Sequence, residues 1–344
     1  MRPIACESVS ITGIRVRNPV YSPNTNGMDI TSCKNVFISD CDIEAGDDAI
    51  CIKSENPYGA MLPTQNIVVT NCTLTTSSNG FKIGTATNGP IENITFSNSV
   101  IYNSNVPYNY RVIAGIAIEM VDGGSIDGIS VSNISMKNVR TPIFIRLNHR
   151  NPGADTFLRN VMIRGVDASG SILTSSITGM PDAPVEAITL EDIRIRSEEA
   201  GEASWVTRAI PEIADQYPEA RMFGRLPGFG LYVRHAKSVR LRNVELIAEK
   251  PDFRPAVFCE DVEDVVIAGL ETANPAPQNP VIALQDARRV FVQGSRAPEN
   301  AEVYLRVEGA GSKQISVTGN DLSEAKNAVQ LDEGALRGAV AVHS

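Results

Sequence analysis

The chain has 344 residues and a net charge of −9, with 42% hydrophobic and 21% charged residues. That length permits a large buried core, and an acidic balance without a basic stripe argues against nucleic acid as a partner. No apolar run reaches the roughly 20 residues needed to span a bilayer, so no membrane partner is expected either.

Predicted strands open at Val9, Val36, Ile67, Ile94, Ile129, Val161, Ile188, Val239, Val265, Val290 and Ile315. Two residues into each stands a second bulky apolar residue, from Ile11, Ile38 and Val69 through to Val317, the period-two alternation of a strand. Four residues in, the column reads Gly13, Asp40, Asn71, Asn98, Asn133, Gly165, Asp192, Asn243, Gly269, Gly294 and Gly319. These residue types tolerate a left-handed backbone, so the column predicts one tight bend per repeat. Most starts lie about 25 to 35 residues apart, the period of a solenoid. Helical spacing is absent from the repeats, which excludes ankyrin-like and tetratricopeptide arrays. A leucine-rich repeat would be shorter and would carry its own Leu-x-Leu signature. The predicted fold is all-β: one parallel β-helix domain over 1–344, with equivalent residues stacked about 4.8 Å apart.

Stacking also accounts for several polar and sulfur positions. Cys41 and Cys72 share a column otherwise filled by Ile, Val and Leu, which predicts a stacked pair of buried thiols rather than a disulfide. Asn35, Asn66, Asn93 and Asn160 precede their strands by one residue and predict an amide ladder. Six cysteines in a chain this long are not a disulfide scaffold, and their spacings fit no zinc site. With only His149, His235 and His343, a histidine metal centre or a serine triad has little to draw on. The chain starts directly in a repeat, so N-terminal coils and a cap are read as missing. "MRPIACESVSITG" has no secretory pattern, which implies either a cytoplasmic protein or an absent leader.

The period breaks between Ile188 and Val239, where an insertion at about 198–231 has a helix-like portion and then a Pro/Gly-rich one. Such loops often wall a binding groove, and this one is expected beside Asp47, supplying Arg221, Phe223 or Tyr232. From about Ser323, "SEAKNAVQLDEGALRG" reads as a C-terminal capping segment.

Asn26 and Asp29, then Asp47 and Asp48, then Asn79 and Lys82 come from the same part of three successive repeats. Neighbouring carboxylates shift each other's proton affinity, which suits one to act as acid and one as base. The alternative is that Asp47 and Asp48 simply cap a turn.

"SPNTNGMDI", "CDIEAGDDAICIKS" and "SSNGFKIGT", in this order, resemble the polygalacturonase family, glycoside hydrolase family 28. That family carries Asn-Thr-Asp-Gly, Gly-Asp-Asp and Gly-His-Gly at intervals of about one coil. "IENITFSNSVI", "DGISVSNISMKNVRTPIFIR" and "SSITGMPDAPVEAITLEDIRI" continue the likeness to about Val265. The resemblance implies a right-handed parallel β-helix that hydrolyses a pectic polysaccharide with inversion and without a cofactor. Asp47 then matches the general acid, and Asp48 one of two carboxylates that activate water. The first aspartate of the family is Asn26 here and its histidine is Asn79. Its Arg-Ile-Lys clamp aligns with Ala117, Ile118 and Glu119, which argues against a plain galacturonate at that subsite. His149 stands where an aromatic residue is usual.

Glu119 is therefore expected as a third catalytic carboxylate. Asn26, Asp29, Lys53, Asn79 and Lys82 are expected to bind substrate, with Arg146 and His149 one coil further on. The resemblance implies a plant-type polysaccharide or oligosaccharide substrate, a monomer, and a secreted or periplasmic address. Two other readings share the fold. A lyase or epimerase would need Ca²⁺ on the aspartates and an Arg or Lys base. A carbohydrate-binding β-helix with eroded catalysis is the third reading.

Overall fold

In the segment Lys34–Ser39, Val36 and Ile38 are buried and Phe37 is exposed, as alternation requires of a strand lying on a core. The same arrangement recurs in strands such as Thr64–Thr70 and Lys313–Thr318. The structure, a computed structural model, describes residues 1–55, 58–103, 111–153, 155–276 and 280–343. The chain divides into two compact units, residues 1–170 with 212–222, and residues 171–211 with 223–344.

In the first unit the predicted strand starts are direct neighbours in parallel ladders. Val9 pairs with Val36, Val36 with Ile67, Ile67 with Ile94, Ile94 with Ile129, and Ile129 with Val161. In the second unit Ile188 pairs with Val239, Val239 with Val265, Val265 with Val290, and Val290 with Ile315. One chain start per coil, always parallel, makes the fold a right-handed parallel β-helix, as the repeat and the resemblance required. The segment from Ser323 carries the register onward. Ala325–Leu331 pairs with Ala301–Glu308, and Ile315 pairs with Val340.

All eleven residues of the Gly/Asn/Asp column have positive φ, between 50° and 68°. Their side chains also join coils: Asn71 donates to Asp40 at 3.3 Å and Asn133 to Asn98 at 2.9 Å. The column at Asn35, Asn66, Asn93 and Asn160 is left-handed too, and Asn93 donates to Asn66 and Asn66 to Asn35. The coils carrying Asn35–Asp40 and Asn66–Asn71 are therefore clamped to each other at two bends. Cys41 and Cys72 are buried free thiols, each directed at a carbonyl of its own coil.

The insertion between Ile188 and Val239 holds little regular structure beyond one 3-10 turn, Ala203–Trp205. Within the second unit Arg254 lies against Asp252, Glu199 and the Trp205 ring, a closed set of buried charges that fastens this stretch. Phe223 and Tyr232 are buried in that unit, where Tyr232 donates to Glu260 at 2.6 Å. His235 lies 2.7 Å from Asp261 there.

Candidate active site

A ladder of isoleucines sets which side chains face outward. Ile30, Ile52, Ile83, Ile118 and Ile145 are register partners across five strands and are all fully buried. The alternating positions must then face away from the core: Asp29, Cys51 and Lys82 on one side of each isoleucine, and Thr31, Lys53, Glu119 and Arg146 on the other.

The bend before the second of these strands presents the two aspartates. A Cβ on Gly46 would fall 2.2 Å from the Ser22 carbonyl and 2.5 Å from that of Pro19, so only glycine fits. Thr25 of the preceding coil accepts the Gly46 N–H at 3.1 Å, and Thr76 of the following coil donates to the Asp47 carbonyl. Asp48 reaches into the next coil. Its Oδ1 accepts from Ser78 at 2.9 Å and from the Asn79 amide at 2.7 Å, and its Oδ2 lies 3.3 Å from Lys82 Nζ. Asp47 folds over its own bend, accepting the Asp48 N–H at 2.9 Å. Half-burial, and then the charge of Asp48, push the Asp47 carboxyl above its ordinary range.

Lys82 is 2% exposed and stands between two carboxylates, with Glu119 Oε2 at 3.4 Å. Burial alone would lower its proton affinity, but Glu119 and Asp48 hold it well above the usual lysine value. Lys82 also donates to the hydroxyl of Tyr217 at 2.9 Å. Burial pushes Glu119 up to about 7 despite Lys82. A second pairing lies one coil back: Asp29 accepts from Asn26 at 2.7 Å and faces Lys53 Nζ at 3.0 Å.

Of the expected residues, Asn26, Asp29, Asp47, Asp48, Lys53 and Lys82 line one groove of about 520 Å³, together with Thr25, Thr85 and Tyr217. Asn79 lies beneath Asp48 as its anchor. Glu119, Arg146 and His149 do not line the groove. Glu119 is 1% exposed and meets Lys82 from below the surface, so it is placed as a partner of that lysine rather than as a carboxylate open to substrate. The physical reason is the segment 212–222, which packs over this end of the face. Arg146 donates to the Glu212 carbonyl at 2.5 Å, Asn148 to that of Gln216 at 2.9 Å, and the His149 N–H to that of Ala214 at 2.8 Å. Arg221 turns back on Glu219 of the same segment. The residue this segment gives to the groove is Tyr217, which sequence reasoning missed; an aromatic in a groove-side insertion was its only signal. Ser78 was missed as well, though it lies inside the quoted "SSNG".

The arrangement holds one carboxylate by three residues, Ser78, Asn79 and Lys82, and leaves a second, with raised proton affinity, open beside it. That pair can give and take protons across a bound ether or acetal oxygen.

A model of the family described as "Glycosyl hydrolases family 28" matches residues 1–211. The chain is similar to a probable polygalacturonase of Vitis vinifera, 26% identical over 62% of this chain and 45% of the relative. It is also similar to a polygalacturonase of Gossypium hirsutum, 27% identical over 56% and 47%. The chain thus spans about half the length of these curated relatives. Among solved structures, the family 28 exopolygalacturonase of Yersinia enterocolitica matches with a TM-score of 0.38 and 13% identity, over 77% of this chain and 38% of that one.

Proposed function

We propose, because the chain belongs to glycosyl hydrolases family 28, that it hydrolyses a glycosidic bond of a pectic polysaccharide by single displacement. Asp47 gives its proton to the leaving glycosidic oxygen while the bond to the anomeric carbon breaks. Asp48 takes a proton from the water that attacks that carbon. Lys82, Asn79 and Ser78 hold Asp48 in place and aimed, and Glu119 acts one step back by holding Lys82. The observation that carries this reading is the unequal treatment of two adjacent carboxyls. One is anchored on an ammonium, and the other is half-buried with its proton affinity raised. A pectic polymer is met outside the cell or in the periplasm, and we place the protein's action there.

The test is incubation with homogalacturonan and rhamnogalacturonan oligosaccharides, read by mass spectrometry. New reducing ends without an unsaturated product support hydrolysis, and their loss in Asp47→Asn assigns the acid. An unsaturated product absorbing in the ultraviolet overturns it in favour of a lyase. Binding with no cleavage, equally tight in Asp47→Asn, leaves a carbohydrate-binding module.

A further inference from the structure

The charges around the groove point to the kind of sugar it takes. Three side-chain cations line it among the described residues, and each already faces a carboxylate. Arg2 lies 2.9 Å from Glu55, Lys53 lies 3.0 Å from Asp29, and Lys82 sits between Asp48 and Glu119. Among the described residues a uronate entering here would meet no lining side-chain ammonium or guanidinium without a carboxylate beside it, and it would lie against Asp29 and Asp48, a repulsion that a low-dielectric cleft strengthens.

The groove offers something else instead. Tyr217 is 55% exposed, yet it is not loose: its hydroxyl accepts from Lys82, and Lys82 and Arg150 lie 5.2 and 5.5 Å from its ring centre. Arg150 is itself fixed by Asp122 at 2.8 Å. A flat ring pinned at its polar end, with its apolar body facing a polar cleft, is a surface on which the C–H face of a pyranose can lie.

Building on the glycosidase reading, we propose that the pyranose bound between Asp48 and Tyr217 is uncharged. It is a neutral hexose, a deoxyhexose or an esterified uronate, stacked on the Tyr217 ring. Glu119 sets this preference by engaging the ammonium of Lys82 from beneath the groove.

Titration calorimetry on Asp47→Asn, which removes turnover, tests it with two probes of equal length: an ionised galacturonate oligomer and its full methyl ester. The ester is expected to bind at least about tenfold tighter, with the gap narrowing as salt is raised. Tyr217→Ala should cost the ester about tenfold, while Tyr217→Phe keeps its affinity. Glu119→Gln, close in shape, should strengthen binding of the ionised oligomer. Equal or tighter binding of the ionised oligomer overturns the proposal, as does binding of neither probe or indifference of ester binding to Tyr217→Ala. Because the readout is binding, an absence of hydrolysis in the wild type would sink the glycosidase reading and leave this measurement standing.

Discussion

The ammonium of Lys82 and the hydroxyl of Tyr217 meet at 2.9 Å across 135 residues of chain. Through this bond a strand in the third motif coil and a late insertion share one polar cluster with Asp48 and Glu119. The chemistry of the groove thus depends on a segment that lies outside the repeat.

Asp47 has the clearest expected effect. Asp47→Asn keeps the shape of the bend but removes the transferable proton, so activity should fall about 10²- to 10⁴-fold. Its melting temperature should stay near that of the wild type, since asparagine keeps an Oδ1 to accept the Asp48 N–H and Thr76 donates to the backbone carbonyl. Reducing-end assays beside thermal melts check both halves. A variant with near-normal turnover removes Asp47 from the mechanism.

Lys82 is the residue whose loss should harm stability most. Lys82→Met leaves Asp48 and Glu119 facing each other in a buried site without their cation. Breaking a buried ion pair on one side costs about 3–5 kcal/mol. Urea unfolding at neutral pH measures it. A change below about 1 kcal/mol would mean that the cluster is not held by charge.

Glu119 makes stability depend on pH in a defined window. Its ordinary value is 4.5 and in the fold it is about 7, so between these the native state keeps a proton that the unfolded chain has lost. The contribution is full below about 4.5 and disappears as pH rises through about 7, so stability falls with rising pH there. Lys82 stays charged throughout that range. Melting temperatures of wild type and Glu119→Gln, followed from about pH 4 to 8, should show different slopes, the variant being flatter. Parallel curves would remove Glu119 as the source.

Asn26→Asp, which restores the aspartate usual in the family, should not be benign. Asn26 donates to Asp29 at 2.7 Å, and the replacement sets two carboxylates at that contact. Melting should drop near neutral pH and recover as acid protonates one of the pair. A higher melting temperature at neutral pH would show that Lys53 can serve both.

The left-handed column is open to a direct test at Asn98, whose φ is 50°. Asn98→Val forces a β-branched residue into that conformation, a cost of about 1–2 kcal/mol, while Asn98→Gly should be close to neutral. Chemical denaturation of the two variants separates backbone strain from loss of the Asn133 bond, which both remove.

The fold was legible because a β-helix writes its geometry once per coil. The Gly/Asn/Asp column reports a backbone angle, a local property, and repeating it eleven times leaves little room for another architecture. Asp47, Asp48 and Lys82 were legible for a related reason: one-coil spacing turns into adjacency by register alone. Glu119 and Arg146 looked like outward residues by the same rule, and by strand alternation they are, while His149 lies just past the strand Val139–Leu147. What covers them is the backbone of 212–222, whose docking depends on carbonyls that no side-chain pattern announces. Tyr217 was obscured by the same nonlocal packing.

The buried thiols have a use that packing alone does not suggest. Cys33, Cys41, Cys51 and Cys72 are unpaired and enclosed in one unit, and Cys259 in the other. A thiol reagent reaches such a sulfur only when the coil around it opens, and solenoids open piecewise. The native chain therefore carries built-in clocks: labelling times at Cys51 and at Cys259 would date the opening of each unit separately, with no engineered probe.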